Sequence, residues 1–472
     1  MQEGEWVQVL GRVYEFAFGE MPSSSSSSQS YAASVGVGVA VTAVAGVAVA
    51  AAVGGLIYYN GGEFPFDLPF STRRTHSPLT QEKWVECFDS EDGRLLDGEK
   101  VIYKVRGGGI VPSIRAQVWP FLLGVYELDS SSAERVEVKF AKHEEYEELR
   151  TQCVKASETL KKPKLVQAAS EPEGEKVEED GTEGEAKADT ASDDVPSGRK
   201  MAKEEEDFQT WQRIIKLDAV RMNAEWIPYA ETQASVTFEE AEKLSKEAGL
   251  MDDDHLEPPR RHHAARLVLI LEAYTMYDPE TGYCQGMSDL LSPFVALIDD
   301  DYEAFWCFVK FMEFARHNFR LDEVGIRRQL NMVSSIIKSS DPQLYRHLRK
   351  LGCEDCTFIY RMVVVLMRRE LSFEQTLCLW EVMWADWAAI DNKRGAGDGR
   401  RRDRLGPPTR DLLLYTIAAA VRKRRRNILQ YSGMDELVRE CNGMAGNLDI
   451  WELLADAREL VRCVQVKPTK SD

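Results

Sequence analysis

Leu267-Val-Leu-Ile-Leu-Glu-Ala-Tyr274 leads into Tyr277-Asp-Pro-Glu-Thr-Gly-Tyr283-Cys-Gln285-Gly-Met287, and then into Leu290-Leu-Ser-Pro-Phe-Val-Ala-Leu297. Two apolar runs at helical spacing flank a turn whose Asp-Pro and Thr-Gly pairs stop one helix before the next begins. The same periodicity marks Ala304–Phe314, Phe358–Leu366, Glu374–Trp384, Leu412–Val421 and Trp451–Val461. Strand-like alternation is scarce, and no segment recurs at a fixed period. The stretch 208–466 therefore reads as all-α.

An earlier block, 82–154, carries Arg106-Gly-Gly-Gly-Ile-Val-Pro-Ser-Ile-Arg115-Ala-Gln-Val118-Trp119-Pro-Phe121-Leu122-Leu-Gly124. Val118, Phe121 and Leu122 fall at helical spacing, and Gly124 suits a C-cap. Between the two blocks, residues 155–207 hold few groups worth burying. From Glu171 to Asp207 there are fifteen acidic and five basic residues, a net charge of −10. Such a segment cannot offset its ordering entropy, so a disordered insertion is expected there.

The whole chain has 472 residues, 44% of them hydrophobic, and a net charge of −19. That balance excludes wholesale disorder and a surface that coats nucleic acid everywhere. Nine scattered cysteines do not make a disulfide scaffold and suit the reducing cytosol. One basic island, Lys393 to Arg426, counts twelve basic and three acidic residues. It lacks the aromatic interleaving that stacks on bases, so no nucleic-acid partner is expected. It reads as a loop followed by a helix ending in Arg422-Lys-Arg-Arg-Arg426, with cations at the negative end of the helix dipole.

The N-terminal region 1–81 is of low complexity and has no charge from Met21 to Gly62. Its Ala/Val/Gly run, 32–59, exceeds the roughly 20 residues that span a bilayer. Alanine is nearly neutral for insertion and glycine weakens helices, so a disordered tail is the other expectation. If the run spans, Arg73, Arg74 and Lys83 follow it while only Arg12 precedes it, which places the rest of the chain in the cytosol. The island 393–426 would then add contacts to anionic lipid. Residues 467–472 form a short tail.

Self-contained catalysis finds no support. Gly107-Gly-Gly109 lacks the Lys-Ser/Thr of a phosphate loop, and Cys353-Glu-Asp-Cys356 has no second ligand pair. His262 and His263 are adjacent and cannot both face one metal, so no metal site is expected. Two segments remain. In Ile214-Ile215-Lys-Leu-Asp218-Ala-Val-Arg221 the Asp and Arg at i, i+3 share a helix face, where the carboxylate can hold the guanidinium. In Tyr283-Cys-Gln285-Gly286-Met287 a polar Gln stands where packing favours an apolar residue.

Taken in order, Arg115-x-x-Val118-Trp119-x-x-Leu122-Leu-Gly124, Ile215-x-x-Asp218-x-x-Arg221 and Gly282-Tyr-Cys-Gln285-Gly-Met287 give the chain a resemblance to the TBC-domain family of Rab GTPase-activating proteins. Leu371-Ser-Phe-Glu-Gln-Thr-Leu-Cys-Leu-Trp380-Glu resembles that family's C-terminal lobe. The resemblance implies a two-lobed, multi-helix TBC domain interrupted by the acidic insertion. It implies a Rab-family GTPase as partner and a role in membrane traffic. The chain would be an activator rather than a nucleotide hydrolase, with no cofactor of its own, since GTP and Mg²⁺ belong to the GTPase. Arg221 would offset charge on the leaving γ-phosphoryl group, and Gln285 would orient the attacking water. Asp218, Ile215, Tyr283, Gly286 and Met287 would position these two, and Arg115 would contact the partner. Many family members have threonine after the motif arginine, where this chain has Met222. A non-catalytic Rab-binding scaffold or effector is the alternative, which intact Arg221 and Gln285 disfavour.

Overall fold

The chain is seen here as a computed structural model that describes residues 74–161, 197–250, 255–320, 324–391 and 405–464. Among these residues fourteen helices run nine residues or longer. They are α1 (Gly98–Gly108), α2 (Arg115–Leu123), α3 (Ser132–Lys161), α4 (Ser197–Val220), α5 (Phe238–Ala248), α6 (Pro258–Tyr277) and α7 (Met287–Leu297). The others are α8 (Asp301–Ala315), α9 (Val324–Ser340), α10 (Pro342–Lys350), α11 (Phe373–Asp391), α12 (Leu412–Lys423), α13 (Met434–Asn442) and α14 (Ile450–Cys463). No strand occurs among the described residues, only the isolated bridges Leu79 to Ile110 and Phe88 to Leu95.

The helices start where short polar side chains satisfy their first amide groups. Asp97 accepts from the Lys100 amide, Asp341 from that of Leu344, and Asp449 from those of Trp451 and Glu452. Thr237 and Glu240 form a reciprocal capping box on α5. Each such cap is worth about 0.5–2 kcal/mol. The apolar run Leu267–Tyr274 lies inside α6, which is buried along most of its length. Helices α3, α4 and α5 pack around α6 in one lobe, while α9, α10, α12 and α14 pack together in a second. Helix α11 lies against α1 and α2 and ties the N-terminal block to the rest.

Aromatic side chains fill the junction. Trp119 of α2 meets Phe294 of α7 edge-on at 5.4 Å and Trp384 of α11 at 5.2 Å, and Phe311 of α8 lies 4.9 Å from Trp380. Beside them runs a buried ionic network. Arg115 Nε donates to Glu381 Oε1 at 2.7 Å, and its two Nη atoms donate to both oxygens of Glu374 at 2.6 Å. The Trp119 indole donates to the same Glu381 oxygen at 3.1 Å. A second buried cluster joins Arg106 and Arg458 to Asp386.

This network corrects one expectation. Arg115, predicted to contact a partner, has no exposed surface. Its guanidinium is consumed by two carboxylates of α11, so no docking protein reaches it. The insertion is also narrower than 155–207. Helix α3 continues to Lys161, and α4 begins at Ser197, both edges being rich in Lys, Glu and Ala. Gln212 of α4 donates to Ser157 of α3 at 2.9 Å, tying the flanks together. Residues 162–196 lie outside the described residues, as do the run 32–59 and residues 393–404, expected as a loop. No helix among the described residues is long and apolar enough to cross a membrane. The end of the basic island is occupied within the chain: Lys423 pairs with Glu452 at 2.8 Å and Arg425 with Asp341 at 2.6 Å.

Candidate functional site

Helix α4 buries Ile215 and Ala219 and stops at Val220, so Arg221 stands beyond the helix end with its side chain exposed. The chain then dips inward at Met222, whose carbonyl accepts from Arg260 at 3.1 Å. It surfaces through 223–225 and is anchored again by Trp226. That indole stacks on His263 with ring centroids 3.9 Å apart. The imidazole nitrogens of His263 meet Gln233 at 3.0 Å and Ser292 at 2.9 Å, and burial holds its pKa well below the ordinary histidine value. The loop that carries Arg221 is thus fixed at both ends.

The second segment is built by the turn after α6. Asp278 accepts from the Thr281 hydroxyl at 2.7 Å, the Thr281 amide at 3.2 Å and Arg316 at 3.2 Å. Burial works against its charge, but these donors prevail and its pKa is lowered. Gly282 sits at φ +58°, and a β-carbon there would lie 2.3 Å from the Trp211 ring of α4. The two motif-bearing segments therefore touch through a contact only glycine allows. Gly286, at φ 102°, then turns the chain into α7, which leaves Gln285 half-buried at the helix entrance.

Arg221 and Gln285 line the same cleft, of about 660 Å³, together with Asp218, Gly286, Asp289, Arg368 and Arg369. Ala445 and Gly446 border it from the far lobe. Ile215, Tyr283 and Met287 are buried behind it. The helical spacing suggested that Asp218 holds Arg221. Instead the Tyr283 hydroxyl donates to Asp218 Oδ2 at 2.7 Å, and no ion pair joins Asp218 to Arg221 among the described residues. Asp218 turns inward to Tyr283, while the exposed Arg221 side chain stands past the end of α4. Burial raises the Asp218 pKa, against the Tyr283 hydrogen bond and the fields of Arg221 and Arg369, with Asp289 adding a like charge. The Tyr283 pKa is in turn raised well above its usual value, by burial and then by Asp218.

Several cleft residues carried no recognised signal in the sequence. Asp289, on the first turn of α7, accepts from Arg369 at 2.7 Å. Arg368 is almost wholly buried, lies over the Phe373 ring at 5.2 Å and donates to Glu225 at 3.3 Å. Both arginines follow Leu366 and Met367, which stand in the left-handed region at φ 48° and 58°. Each such residue costs on the order of 1–3 kcal/mol. Buried side chains, the Met367 amide bonded to the Met362 carbonyl at 2.8 Å, and the Trp380 indole bonded to the Leu366 carbonyl at 3.0 Å hold the bend. A Gly or Asn would have signalled such a turn, but Leu-Met does not. Among the described residues no group of His, Cys, Asp and Glu could hold a metal ion.

Fold and cleft together define an all-helical, two-lobed protein that presents an arginine and a glutamine from separate segments to one opening. The family model for the Rab-GTPase-TBC domain matches residues 209–391. "Rab GTPase-activating protein 22" of Arabidopsis thaliana is 47% identical, covering 83% of this chain and 82% of that protein. "GTPase-activating protein GYP7" of Candida glabrata is 33% identical over 68% of this chain and 37% of its own length. "TBC1 domain family member 17" of Homo sapiens is 25% identical over 85% of this chain and 48% of its own length. The chain thus spans less than half of each of the latter two. The solved Ypt/Rab-GAP domain of Gyp1p shares the fold, with a TM-score of 0.51 and 16% identity, covering 80% of this chain and 95% of that one. This chain belongs to the TBC-domain family of Rab GTPase-activating proteins.

Proposed function

We propose that this protein accelerates GTP hydrolysis by a Rab-family small GTPase in the cytosol, supplying Arg221 and Gln285 to the GTPase's active site. The observation that carries the reading is the convergence of these two side chains on one cleft, from segments fixed by separate anchors. The guanidinium of Arg221 is exposed and stands past a helix end, free of ion pairs among the described residues, so it can enter a partner's phosphate site. There it would offset charge on the γ-phosphoryl oxygens. Gln285 carries both a donor and an acceptor, which is what orienting an attacking water requires. GTP and Mg²⁺ arrive with the GTPase, and this chain contributes groups in trans.

The test is phosphate release from a panel of GTP-loaded Rab proteins, with the wild-type chain, Arg221→Ala and Gln285→Ala. Arginine fingers supply on the order of 10³–10⁵ in rate in comparable systems, so Arg221→Ala should abolish nearly all stimulation. A panel on which wild type stimulates none, or on which both variants equal wild type, ends the catalytic reading.

A further inference from the structure

Arg221 stands on a short loop fixed at both ends. Its loop is pinned at Met222 and Trp226, and the exposed crest 223–225 has its own tie to a distant segment of the cleft lining. There Glu225 accepts from Arg368 at 3.3 Å, and its amide donates to Asn223 Oδ1 at 3.3 Å. We infer that the Arg368–Glu225 pair is a latch that sets the position of the Arg221 loop, making both positioning residues for the activity proposed above.

Three observations converge on this pair. The first is exposure: the Glu225 side chain is 53% exposed while that of Arg368 is 2% exposed. Arg115, by contrast, is satisfied by its two carboxylates. Arg368 instead leaves Nε and Nη2 without partners among the described residues and spends Nη1 on a loop carboxylate. Unsatisfied buried donors are rare and call for a role. The second is strain, since tandem left-handed residues at 366 and 367 deliver Arg368 to the cleft wall. Backbone in such conformations concentrates where geometry serves function. The third is topology: Glu225 and Arg368 are separated by 143 residues and both line the cleft, so the pair ties together two distant segments of its lining. A guanidinium that is almost wholly buried and sits 5.2 Å over the Phe373 ring has little freedom, and it couples its own segment to the loop.

Glu225→Gln tests the latch with little risk to folding, because the exposed side chain keeps an oxygen that can still accept from the buried Arg368 guanidinium. Misplacing a catalytic group slightly costs up to about 10²-fold in rate, and one long, half-solvated ion pair commands only part of that, so kcat on a responsive Rab should fall about 3–10-fold. KM and the thermal midpoint should stay unchanged, whereas a merely structural role would move the midpoint. Glu225→Asp should recover part of the rate. Arg368→Lys should lower kcat similarly, and the double variant should be no worse than Arg368→Lys alone. Amide exchange of the free chain supplies a second readout, with 222–225 exchanging faster in Glu225→Gln and the rest unchanged. Wild-type kcat in Glu225→Gln, multiplying losses in the double variant, or unaltered exchange at 222–225 would each overturn the latch. If wild type stimulates no Rab, the catalytic reading fails by itself, and the exchange result still decides whether the latch exists.

Discussion

Arg115→Met separates the structural account of that residue from the partner-contact reading its motif suggests. The substitution keeps an apolar side chain of similar length but removes the cation that Glu374 and Glu381 share. Glu381 is wholly buried, and its second oxygen already lacks a partner among the described residues. Breaking one side of such a pair costs about 3–5 kcal/mol above about pH 7, where Glu381 is otherwise ionised and must either stay uncompensated or take up a proton. For a domain of this size that is a fall of roughly 5–10 °C in thermal midpoint. Adding Glu381→Gln removes the stranded charge and keeps an acceptor for the Trp119 indole, so it should restore about 1–3 kcal/mol. Calorimetry of the single and double variants measures both quantities. Stimulation of a Rab per folded molecule should equal wild type. A loss below about 1 kcal/mol, or a double variant less stable than Arg115→Met, would refute the argument. A normal midpoint with lost stimulation would restore the partner-contact reading.

Two more outcomes follow from the packing. Burial lifts the Glu381 pKa from 4.5 to about 7, with Glu374 adding a like charge and Arg115 opposing. The folded state therefore holds a proton that the unfolded chain releases, so this residue's contribution is complete below about pH 4.5 and is lost as pH rises through about 7. Glu381→Gln should flatten that part of the stability profile, as measured by urea denaturation across the range. Gly282→Ala forces a β-carbon into the Trp211 ring at a left-handed position, so stability should fall by at least about 1 kcal/mol and Rab stimulation should drop with it. Trp211→Leu in the same chain should recover stability if the clash is the cause.

How much of this was legible depends on whether the deciding interactions are local. Helix α6 and the turn after it were readable because periodicity, Asp-Pro and Thr-Gly all act within a few residues. The same holds for the cationic end of α12. Arg221 and Gln285 were found through motif order, and the structure sets both on one cleft. Arg115 was misread because its partners lie 259 and 266 residues away, and sequence proximity carries no trace of them. The Asp218–Arg221 pairing failed because Asp218 is bonded instead to Tyr283, 65 residues on, a partner that local spacing does not reveal. The edges of the insertion were drawn by charge, but Lys, Glu and Ala also favour helix, and α3 and α4 use them so. Arg368 and Glu225 were silent: no residue type near 366 announces a left-handed bend, and an exposed glutamate in a loop looks like any other.

The long reach of Arg115 has a consequence during synthesis. Helix α2 leaves the ribosome 266 residues before Glu381 does. At roughly 5–20 residues per second, that interval is about 13–50 s. Throughout it the cation has no counter-charge from α11, and Val118 and Trp119, completely covered in the finished domain, have no α11 to cover them. The N-terminal block therefore cannot mature as a unit and waits for the distal half of its own chain. Any transcript truncated before codon 381 would yield a product with that apolar face open, a substrate for chaperones and proteases rather than a smaller working protein.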